Sequence, residues 1–142
     1  AMLAAAQDAL LGVINPPELL AVTVLTSMDE MQLKASGVHR TPAEQVELLA
    51  QLGLDAGIRG FVCSPNEVRT LRALAGLGAT LVVPGIRPAG SAAGDQKRIA
   101  TPADALSAGA SYLVVGRPIT QAPDPAQAAE RVLEEMAAAL PS

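Results

Sequence analysis

Apolar residues fall along this chain in short, nearly unbroken blocks. Residues 19–25, with the β-branched stretch Ala21-Val22-Thr23-Val24, form the first, and Gly60-Phe61-Val62-Cys63 the second. Leu81-Val82-Val83 and Tyr112-Leu113-Val114-Val115 are the third and fourth. Blocks of this length and composition predict strands buried on both faces. Between them the apolar residues take a helical period, and each helix has a start signal. Thr41-Pro42-Ala43-Glu44 combines a capping threonine, a proline at the first helical position and a reciprocating glutamate. Val46, Leu48, Leu49 and Leu52 follow as the stripe expected to face a sheet. Ser64-Pro65-Asn66-Glu67 repeats the device before Val68, Leu71 and Leu74. Thr101-Pro102-Ala103-Asp104 opens a third helix, expected to close at Gly109. Asp124-Pro125 opens the last, with the stripe Ala129, Val132, Leu133, Met136 and Leu140. Upstream, residues 1–13 read as a helix stopped by Asn15-Pro16-Pro17, and residues 29–35 as a short helix after the first strand.

The order is one helix followed by four strand-loop-helix units, which demands a parallel sheet with crossover helices. A doubly wound sheet would fit the length of 142 residues. It usually carries a glycine-rich turn after its first strand, and here that strand ends in Leu25-Thr26-Ser27-Met28. A (β/α)8 barrel suits the last two strands better, because its phosphate site is commonly built by the loops after strands seven and eight. A complete barrel needs roughly 250 residues. The chain therefore reads as α/β, the second half of a TIM barrel, with residues 1–142 as one partial domain. Such a half leaves two strand edges and an apolar inner face to be covered by a missing N-terminal half or by a second copy.

Composition narrows the function classes. Ten basic against fourteen acidic residues give a net charge of −4 with no basic run, which argues against a nucleic-acid surface. Cys63 is the single cysteine, so no disulfide framework is possible and a reducing, cytoplasmic setting is expected. No apolar run approaches the ~20 residues of a membrane span. His39, the only histidine, sits in a polar stretch and reads as a surface residue; no second histidine or cysteine offers a metal site. Ser27 and Ser64 lack a nearby base, and Asp29 and Glu30 are explained by helix-start placement.

Four of the ten cations, Arg87, Lys97, Arg98 and Arg117, nevertheless gather in one region. The third strand ends in Pro84-Gly85-Ile86-Arg87-Pro88 and a glycine-rich loop, and the fourth ends in Gly116-Arg117-Pro118. Glycines let backbone N–H groups approach an anion, and arginine adds a forked donor. Gly85, Gly90, Gly94 and Gly116 supply the first, Arg87 and Arg117 the second, and the amide of Gln96 could donate as well. Residues 84–98 and 116–118 thus form the expected phosphate-binding edge.

These motifs reach a family. Pro84-Gly85-Ile86-Arg87-Pro88, Gly94-Asp95-Gln96-Lys97-Arg98, Thr101-Pro102, Ala108-Gly109 and Val115-Gly116-Arg117-Pro118-Ile119-Thr120 resemble the C-terminal signature of orotidine 5′-phosphate decarboxylase. Residues 21–28 resemble the end of that family's fifth strand. The resemblance implies a pyrimidine-biosynthesis lyase that converts orotidine 5′-monophosphate to UMP and carbon dioxide without metal or organic cofactor. It implies substrate contacts at Arg87, Gln96, Gly116 and Arg117, mainly to the phosphate, and a pyrimidine contact at Thr26. It also implies a homodimer in the complete enzyme. The family's catalytic D-x-K-x-x-D array does not occur: Asp95-x-Lys97 begins it, but Ala100 stands where the second aspartate belongs, and Lys34 lacks the matching acids. No catalytic residue is therefore expected in this chain, which would be inactive alone. A non-catalytic half-barrel that binds phosphate or only assembles is an alternative. A related sugar-phosphate decarboxylase or aldolase is another.

Overall fold

The computed structural model of the protein describes residues 1–89 and 97–139. Helix α1 (Met2–Asp8) precedes β1 (Leu20–Val22), α2 (Glu30–Ala35), α3 (Pro42–Asp55) and β2 (Gly60–Val62). A 3-10 turn (Pro65–Glu67) leads into α4 (Val68–Ala75), followed by β3 (Thr80–Val83), α5 (Pro102–Ala108) and β4 (Tyr112–Leu113). The one-turn helix α6 (Arg117–Thr120) and the long helix α7 (Pro125–Ala139) complete the order.

The four strands form one parallel sheet in the order β1-β2-β3-β4, with Leu20 opposite Gly60 and Gly60 opposite Thr80. Val82 and Val83 pair with Tyr112 and Leu113. Each strand lies beside the one before it, so the sheet has no switch point of the doubly wound kind. This is the arc of a half barrel. Regular pairing is shorter than the apolar blocks, yet hydrogen bonding continues beyond it: Thr23 donates from both N and Oγ1 to the Val62 carbonyl, at 3.1 and 2.8 Å.

Caps fall where the sequence puts them. Thr41 and Glu44 exchange both capping-box hydrogen bonds, Thr101 accepts from the Asp104 amide, and α5 ends at left-handed Gly109. Helix phases match the expected stripes in part, with Val46, Val68, Leu71 and Val132 buried as expected. The buried residues of α3 are Val46, Ala50 and Gly53, while Leu48 and Leu52 are exposed. Close approach is the reason: a Cβ on Gly53 would lie 2.7 Å from Cε1 of Phe61, so the small residues of α3 meet the sheet. In α7, Ala128 and Val132 are buried and Leu133 is exposed; Leu140 lies outside the described residues. Helix α1 is shorter than the expected 1–13 and buries no residue, consistent with helices drawing most of their stability from packing.

The core joins Phe61, Cys63, Leu81, Val83 and Ile86 of the sheet side to Leu33, Val46, Ala50, Val68, Leu71 and Ala105 of the helices. At the N-terminal ends of the strands, the Arg72 guanidinium donates to the carbonyls of Gly76, Leu77, Ala79 and Gly109 and to Ser111 Oγ. Such an end of a β/α sheet serves stability rather than chemistry. The opposite face of the sheet is open: Val22, in register with Val62, Val82 and Tyr112, is 59 % exposed and Tyr112 64 %.

Cys63 is a core thiol, 1 % exposed, and burial first, then the negative charge of Glu67, push its pKa up to about 12. Below the ordinary thiol pKa this shift leaves stability unchanged. Above it the unfolded thiol ionises first, so stability falls as pH rises from about 9 towards 12. At pH 8 a disulfide reagent should label the native chain at least about 10³-fold more slowly than the urea-unfolded chain, since only opening exposes the sulfur. Equal rates would mean that the thiol is not in the core.

Candidate active site

The C-terminal ends of the strands carry the candidate chemistry. Thr26 follows β1, Ser64 and Glu67 follow β2, the Pro84–Arg87 turn follows β3, and Gly116 with Arg117 follows β4. Thr26, Pro84, Gly85, Arg87, Val114, Gly116 and Arg117 line one cleft of about 150 Å³. Four of the five expected contact residues therefore converge; the fifth, Gln96, lies outside the described residues. Two larger hollows, about 350 Å³ beside Gln7 and Arg59 and about 510 Å³ beside Glu44 and Thr70, do not bring two arginines to a strand end.

Local geometry makes the cleft possible. Gly85 has φ +80°, and a Cβ there would lie 2.8 Å from the Arg98 carbonyl oxygen and 3.3 Å from Cγ2 of Thr26. The turn after β3 is then held down: Ile86 bridges to Ala100, and the Arg87 amide donates to the Ala100 carbonyl at 2.9 Å. The Arg87 side chain is 8 % exposed, and its Nη1 donates to the Ile86 carbonyl at 2.8 Å, which fixes the guanidinium against its own turn. Gly116 caps α6, and nothing lies within 4 Å of where its Cβ would stand. The cleft thus brings two arginines to one strand edge, with open space beside the Gly116 backbone.

Two of the four gathered cations do other work. Arg98 is 7 % exposed; its Nη1 meets Glu67 Oε1 at 2.6 Å, and its Nη2 donates to the Val24 and Leu25 carbonyls at 3.0 and 2.9 Å. Glu67 does not close a capping box. It is buried, pairs with Arg98 and accepts from the Ser64 hydroxyl, while Ser64 Oγ itself accepts from the Asn66 amide. Lys97 pairs with Asp29 at 2.6 Å, donates to Gln32 Oε1 at 3.2 Å, and sends its amide to the Thr26 carbonyl at 3.3 Å. Asp29 caps α2, and the Lys97 ammonium, then the Gln32 amide, hold its carboxyl below the usual carboxylate range. Lys34 is exposed and pairs one turn back with Glu30. His39 is exposed. Among the described residues, no cluster of histidine, cysteine, aspartate and glutamate could hold a metal ion, and no helix is long and apolar enough to cross a membrane.

The family model for orotidine 5′-phosphate decarboxylase / HUMPS matches residues 1–132. The chain belongs to this family. It is 62 % identical over 109 residues to the orotidine 5′-phosphate decarboxylase of Pseudoalteromonas translucida (strain TAC 125), covering 77 % of this chain and 47 % of that protein. To the Gluconobacter oxydans (strain 621H) enzyme of the same name it is 57 % identical over 123 residues, covering 87 % of this chain and 52 % of the other. The crystal structure of orotidine 5′-phosphate decarboxylase from Lactobacillus acidophilus superposes with a TM-score of 0.74 at 38 % identity, covering 95 % of this chain and 58 % of that one. An uncharacterized conserved protein from Geobacillus kaustophilus gives 0.73 at 30 % identity, again over 95 % and 58 %. This orotidine 5′-phosphate decarboxylase / HUMPS family chain spans about half the length of the curated relatives it matches.

Proposed function

We propose that the cleft binds the phosphate end of orotidine 5′-monophosphate or UMP, and that this chain supplies the phosphate and base contacts of a decarboxylase in pyrimidine biosynthesis. The observation that carries this reading is the convergence of Thr26, Arg87, Gly116 and Arg117 on one small cleft at the C-terminal ends of the strands. Arg87 and Arg117 offer charge-assisted forks to the phosphate oxygens. Gly116 leaves room for its approach, Gly85 lets the turn after β3 close on residues 97–100, Thr26 faces the ring, and Gln96 supplies a further donor. Remote phosphate contacts of this kind stabilise a transition state by positioning the substrate.

Breaking the carbon–carbon bond also needs a group that protonates the carbanion, and this chain has no D-x-K-x-x-D segment. Lys97, the one lysine near the cleft, is paired with Asp29. In this reading no catalytic residue, metal or organic cofactor is contributed here, and the chain alone does not turn over. Catalysis would require the complementary half-barrel, which the open row of Val22, Val62, Val82 and Tyr112 would receive, in a cytoplasmic enzyme. The same open face supports a second reading, a half-barrel that binds a phosphorylated ligand without turnover.

Calorimetry with UMP tests the site. Arg117→Ala should weaken UMP binding by about 10- to 100-fold, the worth of a charge-assisted pair at about 1.5–3 kcal/mol. Equal affinity in wild type and variant would remove the phosphate assignment. Loss of orotidylate absorbance with this chain alone would overturn the expected lack of turnover.

A further inference from the structure

The segment from Lys97 to Ala100 touches every element that carries the described cleft residues on the β1 and β3 sides. Its Lys97 amide reaches the Thr26 carbonyl, and its Ala100 carbonyl receives the Arg87 amide. Its Arg98 carbonyl fills the space beside Gly85 that a side chain would need, next to Thr26 Cγ2. The Arg98 side chain then runs inward, binding the Val24 and Leu25 carbonyls directly before Thr26 and ending on Glu67, which Ser64 steadies from the end of β2. A second, exposed leg joins Lys97 to Asp29 and Gln32, just beyond Thr26.

We propose that residues 97–100 act as a strap that sets the distance between Thr26 and Arg87, with Arg98 as its positioning residue through the buried Glu67 pair. The two ends of a nucleotide are then gripped by segments held to one another rather than separately to the sheet. This rests on the reading of the cleft as a nucleotide site. The physical requirement is general: two contacts reinforce each other only when their spacing is fixed in advance. A guanidinium suits the role because its rigid fork spans three acceptors on two strands' ends, which a single ammonium cannot hold in one plane. Burial makes the arrangement all-or-none, since neither charge has water to fall back on.

The test compares wild type with Glu67→Gln/Arg98→Met, which removes the pair without leaving a buried charge, and with Lys97→Met, where an exposed side chain is lost and the core is untouched. Calorimetric titrations use UMP and inorganic phosphate as separate probes, and amide exchange follows the Arg87 and Lys97 N–H groups. The double variant should lose at least about tenfold in UMP affinity while phosphate affinity stays within about twofold, because phosphate alone does not sense the spacing to Thr26. Protection of both amides should fall at least about tenfold more than that of the core strands. Lys97→Met should move both quantities in the same direction by less. Unchanged protection of the two amides in either folded variant overturns the strap, whatever the ligand does. Parallel loss of UMP and phosphate binding reduces Arg98 to a structural role and overturns the positioning claim. If wild type binds no UMP, the nucleotide reading fails, and the amide exchange still decides the strap.

Discussion

Replacing Glu67 with alanine is expected to lower the unfolding free energy by about 3–5 kcal/mol, the usual cost of removing one partner from a buried ion pair. Glu67 is 5 % exposed and meets Arg98 at 2.6 Å. Its loss strands a guanidinium in a site with two carbonyl acceptors but no counter-charge. Ser64 Oγ loses its acceptor at the same time. Against a typical total of about 5–15 kcal/mol, a loss of that size would leave a marginal fold. Urea titration should show the midpoint falling with little change in slope. Glu67→Gln keeps an oxygen for the guanidinium and should lose less. Lys97→Met, which breaks an exposed pair, should barely move the midpoint. A Glu67→Ala midpoint equal to wild type would mean that the pair is solvated and that Arg98 does not hold the end of β1.

That pair also marks the limit of what could be read in advance. Strand blocks, caps and the parallel order were legible because each depends on residues adjacent in sequence: Thr41 with Glu44, Thr101 with Asp104, and the apolar runs themselves. That Thr26, Arg87, Gly116 and Arg117 would share one edge was legible because the ends of parallel strands lie together, and one cleft has all four in its lining. Glu67 was not. Three residues after Ser64 it matches a capping box, and nothing local says that it turns inward to a partner 31 positions away. The same limit hid the partners of Arg98 and Lys97, although an acidic partner for each stands elsewhere in the chain. A buried carboxylate needs a paired cation, but the capping pattern already accounted for Glu67 locally. Helix phase was legible only in part: Val46, Leu49, Val68, Leu71 and Val132 pack inward as expected, and other stripe positions do not. Leu48, Leu52 and Leu133 are better apolar residues than Ala50, Gly53 and Ala128, yet the smaller ones face inward. For α3, which lies close on Phe61 at Gly53, volume rather than hydrophobicity selects the buried side chain; nothing in the structure gives the same reason for α7.

Gly85→Ala is expected to damage stability and the cleft together, and the two effects can be separated. The residue sits at φ +80°, where an L side chain is strained. The added methyl would also lie 2.8 Å from the Arg98 carbonyl oxygen, a backbone atom that cannot rotate aside. Strain and clash together should cost about 1–3 kcal/mol, read as a lower urea midpoint. Relief can come only by moving the turn or residues 97–100. Either movement pulls on the Arg87–Ala100 hydrogen bond and on Thr26, whose Cγ2 is the next atom in the way at 3.3 Å. UMP affinity should therefore fall at least about tenfold even where thermal melting shows the variant fully folded, since small displacements of positioning groups weigh heavily on binding. Gly76→Ala is the control. Its φ of +80° matches that of Gly85, but nothing lies within 4 Å of its added Cβ, and it stands at the end of α4, away from the cleft. It carries a positive φ without the clash, so it should lose stability and keep UMP affinity. If both variants lose affinity in proportion to stability, the close approach at Gly85 has no role in shaping the site.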